Sequence, residues 1–151
     1  MTERPRTIYL LTILWLLLSL VFLIWGMYSA SILLEIPNWQ NKLTLGVVAW
    51  LHFGYTISTI VWFVFAALFV VFAYETLKKG SWVWTTGIII STIFLAVFAL
   101  MLAAFMINAI LFKDIFSING LITVVLSFII DLGIIFYLSR PVTKMYFEVN
   151  K

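Results

Sequence analysis

The chain has 151 residues, of which 65% are hydrophobic and 10% charged, with a formal net charge of +3 and no cysteine. Soluble domains carry about 25% charged residues, so the deficit points to lipid as the solvent and leaves no sizeable basic face for nucleic acid. The lack of thiols excludes disulfides, thiolate catalysis, cysteine-ligated zinc and iron–sulfur clusters.

Four apolar runs fill the sequence, over 8–34, 43–74, 82–112 and 118–138. Bilayer hydrocarbon takes about 20 apolar residues in a helix, so each run is long enough to cross. Lipid offers no partner to open backbone groups, and only a helix satisfies its own within one segment. No shorter segments of alternating polarity suggest a barrel. The whole chain, 1–151, reads as a single four-span transmembrane domain.

Residues 1–6 form a short polar cap, with Pro5 just before the first helix. The first run is too long for a signal-peptide core and shows no small-residue cleavage site, so it reads as a retained span. Ser19, Gly26 and Ser29 are its candidates for helix contact. Pro37 ends this helix, and Trp39 suits the headgroup region.

On the second run, His52, Tyr55, Thr59, Trp62 and Ala66 share a face. A tight turn follows at 75–81. Lys78 and Lys79 favour a helix C-terminus, Gly80 the left-handed position beyond it, and Ser81 a cap for the next helix.

Trp82 and Trp84 then fall where an inner aromatic belt belongs. The third run carries the small residues Gly87, Ser91, Ala96, Ala99 and Ala103. Runs two and three reach about 30 residues, or about 45 Å of helix against a core of about 30 Å. They are expected to tilt or project. Lys113 ends the third helix, Asp114 or Ser117 caps the fourth, and Asn108 and Asn119 flank this turn. The fourth run places Asn119, Thr123, Ser127 and Asp131 at four-residue spacing along one stripe. Contacts between membrane helices favour small and hydroxyl-bearing residues, so these four stripes are expected to face the bundle interior.

The charges set an orientation. With the N-terminus inside, Arg4, Arg6, Lys78, Lys79, Arg140, Lys144 and Lys151 are cytoplasmic, against Lys42 and Lys113 outside. This is the positive-inside pattern. Short connections make sequential helices adjacent and antiparallel. The expected fold is an all-α integral membrane four-helix bundle of antiparallel up-down topology, with N- and C-termini cytoplasmic, in the cell membrane.

Asp131 is the most informative residue. It is the one acid far from a loop, about 10 Å in from the end of its run at 1.5 Å per residue. Intramembrane acids are costly and are candidates for function. A proton or cation relay would continue through Ser127 and Thr123. Ahead of that relay stand two other readings: first a protonated or hydrogen-bonded carboxyl joining span four to a neighbour, with Ser91, Thr92 or Thr12 within reach, and second a contact with a partner or a further copy. His52, the single histidine, reads first as a hydrogen-bonded interior residue and second as one ligand of a shared cofactor. It lies roughly 10 Å from Asp131 in depth, too far for a direct dyad. There are no paired carboxylates, no His-x-x-x-His, no glycine-rich phosphate loop and no Ser/His/acid set at one level. No cofactor or metal is expected, and the abundant tryptophan and phenylalanine suit packing.

Three stretches carry a resemblance. They are the opening Arg4-Pro5-Arg6-Thr7-Ile8, the turn Lys79-Gly80-Ser81-Trp82-Val83-Trp84, and the ending Tyr137-Leu138-Ser139-Arg140-Pro141-Val142-Thr143-Lys144-Met145-Tyr146-Phe147. Together they resemble a family of small uncharacterised four-span membrane proteins, mainly archaeal. That resemblance implies the topology and no mechanism. All three stretches fall at the expected inner surface, where Pro5, Trp82, Trp84, Arg140, Pro141, Lys144 and Phe147 are candidates for one packed platform. Pro141 ends span four, and Tyr146 and Phe147 lie back on the membrane.

The leading functional expectation is a non-enzymatic accessory or scaffold subunit, or a small oligomeric assembly, whose partners are membrane lipid and other membrane subunits or further copies of itself. The alternative is a small oligomeric proton- or cation-coupled transporter or channel using Asp131. A third is a cofactor-carrying subunit of a larger membrane enzyme, with His52 as a ligand.

Overall fold

The computed structural model describes residues 5–39, 45–111 and 118–148, with side chains over 5–37, 46–107 and 120–148. It contains α1 (Arg6–Glu35), a 3-10 turn (Ile36–Trp39), α2 (Leu45–Lys78), α3 (Ser81–Leu111), α4 (Ile118–Leu138) and α5 (Pro141–Glu148). Among the described residues there is no strand. The first four helices are long and apolar enough to cross a membrane, and their bounds follow the expected runs closely. The expected roles of Arg4, Trp39, Lys42, Asn108, Lys113, Asp114, Ser117, Asn119 and Lys151 lie outside the described residues or side chains.

The four long helices are arranged as a ring in which each touches the next and α4 returns to α1. α1 and α2 approach most closely, whereas α2 and α3, despite the tight turn between them, make few close backbone approaches. The space is filled by rings. Phe22 of α1 lies 5.3 Å from Phe69, 5.2 Å from Phe94 and 6.3 Å from Phe98, and Phe65 meets Phe94 edge-on at 4.8 Å. Trp15 stacks on Phe69 and Phe72 at 5.5 and 4.9 Å. Such ring pairs contribute about 0.5–1.5 kcal/mol each beyond simple burial.

Where backbones do approach, the residues are small. Ser19 donates to the Ala66 carbonyl at 2.8 Å, and Gly26 lies under the Phe63 ring. Ser29 lies 3.4 Å from Ser58. The α1 stripe is thus buried, as expected. The α3 stripe is only half so. Gly87 and Ser91 are buried, but Ala96, Ala99 and Ala103 are exposed. Phe94 and Phe98 point inward in their place, where the ring-packed centre separates the α3 backbone from α2.

The α2–α3 turn also differs in detail. The left-handed residue is Lys79, with φ 60°, and not Gly80. The Gly80 amide donates to the Glu75 carbonyl at 2.9 Å, the 6→1 bond of a Schellman ending, which puts Lys79 at the left-handed position. At Gly80 a Cβ would lie 2.7 Å from Glu75 Oε2, the movable end of that side chain, and 3.2 Å from Val83 Cγ2.

α5 was not expected as a helix. Pro141 does end α4, but it also opens α5, where a proline at the first position has no amide to lose. Thr143, Tyr146 and Phe147 are buried against the bundle, so the two rings pack on protein. Val142 and Met145 are exposed on another face.

Candidate functional site

Hydroxyls in this bundle mostly serve their own helix. Thr12, Thr56, Thr59, Thr76, Thr92, Ser127 and Ser139 each donate to the carbonyl four residues back, at 2.6–2.9 Å. This local bond satisfies the hydroxyl without help from a second helix. It also means that a polar stripe need not bridge helices.

Asp131 is the exception that defines a site. Its side chain is fully buried on α4, with Ser127 one turn before it also buried and Thr123 half-buried. The Ser91 hydroxyl of α3 is the polar group beside the carboxyl, and among the described residues no hydrogen bond shorter than 3.5 Å reaches either carboxyl oxygen. Ser91 and not Thr12 or Thr92 is the hydroxyl brought beside the acid. Thr12 bonds to Ile8 and Thr92 is exposed. Ser127 returns its proton to the Thr123 carbonyl at 2.8 Å. Trp15 of α1, not singled out by the sequence reading, belongs to the same region. Its ring lies against Gly87, one turn from Ser91, and its indole nitrogen is buried and unpartnered.

His52 is placed elsewhere. Its side chain is exposed on α2, contrary to the interior position expected for it. Tyr55, Thr59 and Trp62 are half-buried, and Ala66 is buried. The reason lies in the packing of α2. From Gly46 to Phe65 only Val48 is buried, whereas Ala66, Phe69, Phe72, Ala73 and Thr76 form the core face. Beside His52, Trp50 is 75% exposed and Phe53 59%, and these two residues line a shallow open depression with Ala49.

A third group surrounds α5. Trp84 Nε1 donates to the Leu138 carbonyl at 2.9 Å, across the junction of α3 and α4. Cations rest on rings here. Lys144 lies 5.5 Å from the Trp84 ring, Lys79 4.8 Å from Tyr146, Lys78 4.3 Å from Tyr74, and Arg140 4.5 and 5.2 Å from Phe136 and Tyr137. Lys144 also pairs with Glu148 at 3.7 Å, and Tyr146 Oη donates to the Leu77 carbonyl at 3.4 Å. Phe147 is buried, and Trp82 packs on Phe72 at 5.1 Å. The expected platform residues Trp84, Lys144 and Phe147 are therefore gathered at this end. Arg140, in the bend between α4 and α5, is exposed and lies over the Phe136 and Tyr137 rings of α4.

Among the described residues no group of three histidine, aspartate or glutamate side chains is placed to hold a metal ion. Comparison with protein-family models, with curated proteins and with solved structures returned no match.

Proposed function

We propose that this chain is a non-enzymatic multi-pass membrane protein that serves as an accessory or scaffold subunit. In this reading its four long helices cross the cell membrane antiparallel, with both termini on the cytoplasmic side, as in the small four-span family that its opening, turn and tail resemble. The cations of the described α5 end support that orientation. Arg6, Lys78, Lys79, Arg140 and Lys144 lie there with Glu75 and Glu148, and basic residues favour the cytoplasmic side.

The observation that carries the subunit role is the exposed His52. An ionisable side chain within a membrane helix almost always faces protein or a watery cavity. In the isolated chain His52 faces neither, and the surrounding Trp50, Phe53 and Gly54 are exposed with it. A neighbouring membrane subunit seated on this half of α2 would give the imidazole a partner.

Native mass spectrometry of the full chain, extracted from its own membranes in mild detergent, tests the reading. The expected result is co-purification with other membrane subunits at fixed stoichiometry, lost on His52→Leu or Trp50→Ala while the chain itself stays folded. A monomer, or an assembly indifferent to both substitutions, would overturn it. A homo-oligomer with no foreign subunit would favour the transport alternative.

A further inference from the structure

Arg140 stands where the outer face of α4 ends. Ile129, Leu132 and Phe136 recur on α4 at three- and four-residue spacing, and all are exposed. They form one apolar stripe turned away from the bundle. Arg140 follows Phe136 by four residues, and its guanidinium carbon lies 4.5 Å from the Phe136 ring centre. A cation therefore caps the stripe.

Lys144 comes next. Its amide donates to the Arg140 carbonyl at 3.1 Å, which puts it one turn further along, on α5. Both side chains are exposed. Lys144 pairs with Glu148 at 3.7 Å, the one ion pair among the described residues. That pair is half-exposed and open on its outer side. Arg140 makes no ion pair among the described residues, and its neighbours are the Phe136 and Tyr137 rings. Ring faces attract a cation but offer it no oxygen. A guanidinium carries five N–H donors and matches a phosphate through two parallel bonds.

We propose that Arg140 and Lys144 hold the phosphate of an anionic phospholipid whose acyl chain lies along Phe136, Leu132 and Ile129. Charge complementarity selects the headgroup. Arg6, Lys78, Lys79, Arg140 and Lys144 outnumber Glu75 and Glu148 at this end, and anionic lipid is drawn to basic residues beside membrane helices. The stripe selects a lipid over free phosphate, which has no apolar part to place there. α5 holds Lys144 in position, because Thr143, Tyr146 and Phe147 are buried in the bundle while Val142 and Met145 face out. The proposal rests on the membrane crossing set out above and not on the subunit role.

The test is native mass spectrometry of the delipidated full chain in mild detergent, with phosphatidylglycerol or phosphatidylcholine of the same chains added. Wild type is expected to retain phosphatidylglycerol at about tenfold lower concentration than phosphatidylcholine. The double variant Arg140→Gln, Lys144→Gln is expected to lose that preference. Arg6→Gln with Lys78→Gln removes the same charge from the same end, again at exposed positions, and is expected to keep it. Equal retention of the two lipids by wild type would overturn the proposal. So would equal loss in both double variants, which marks diffuse attraction, or displacement of the lipid by equimolar inorganic phosphate, which marks a free-anion site. A chain that stays in solution without detergent would overturn the membrane crossing itself.

Discussion

Trp15 and Gly87 are complementary in size. A Cβ built on Gly87 would sit 3.2 Å from indole Cζ2 and 3.2 Å from Leu138 Cδ1, so a side chain on α3 here requires the indole of α1 or the end of α4 to give way. Gly87→Val adds two further methyls at this point. It is expected to destabilise the bundle by about 1–3 kcal/mol, the usual cost of overpacking. Trp15→Phe in the same chain removes the crowding ring and should restore part of the loss. Thermal unfolding in detergent, followed by tryptophan fluorescence or size exclusion, reads both effects. Equal stability of wild type and Gly87→Val would contradict this packing.

The Ser19 hydroxyl bonds to the Ala66 carbonyl across the closest helix pair. Bonds of this kind in membrane bundles contribute about 0.6 kcal/mol on average. Ser19→Ala is therefore expected to cost roughly that much. Ser19→Leu should cost several times more, since the residue is buried between α1 and α2. Titrating the protein with a denaturing detergent separates the two. The idea fails if both variants unfold together with wild type.

Lys79 occupies a left-handed backbone position, φ 60°, while its amine rests on Tyr146. An L-residue there costs about 1–2 kcal/mol relative to glycine. The cation–ring contact returns about 0.5–1 kcal/mol. Lys79→Gly should thus change stability little in wild type and stabilise by about 1 kcal/mol more in a Tyr146→Leu background. Additive effects in the four-variant cycle would show that the amine and the ring are not coupled.

Trp84 Nε1 donates to the Leu138 carbonyl, one of the last carbonyls of α4 and so one without a partner in its own helix. Trp84→Phe keeps most of the ring and removes the donor. A loss of about 0.5–1.5 kcal/mol is expected, together with faster amide exchange over 139–148, where α5 docks. Unchanged exchange in that segment would separate Trp84 from the docking of α5.

The parts of the fold that were legible in the sequence are those set by length and by local chemistry. Helices of 30, 34, 31 and 21 residues follow from apolar runs that lipid can accept in no other form. Asp131 and Ser127 stood out because a polar four-residue repeat in an apolar helix must face something other than lipid. What escaped depended on distances between helices. Ala96, Ala99 and Ala103 looked like a contact stripe, yet Phe94 and Phe98 face inward and those alanines outward. His52 shares a helical face with Ala66, but the neighbours that bury Ala66 do not extend to His52. Trp15 was one aromatic among many, because its stacking on Phe69 and Phe72 depends on how α1 and α2 pack. α5 was hidden because Pro141 reads equally as a stop and as a start.

The cluster around Phe22 governs what can pass along the bundle axis. Trp62, Phe65, Phe69, Phe94 and Phe98 all lie within 6.3 Å of its ring centre. The middle of a lone copy is therefore stoppered with hydrocarbon, and a hydrated ion entering from either end would meet a dry plug. Any permeation route has to run along seams between neighbouring copies, or wait for the Phe22 ring to swing aside.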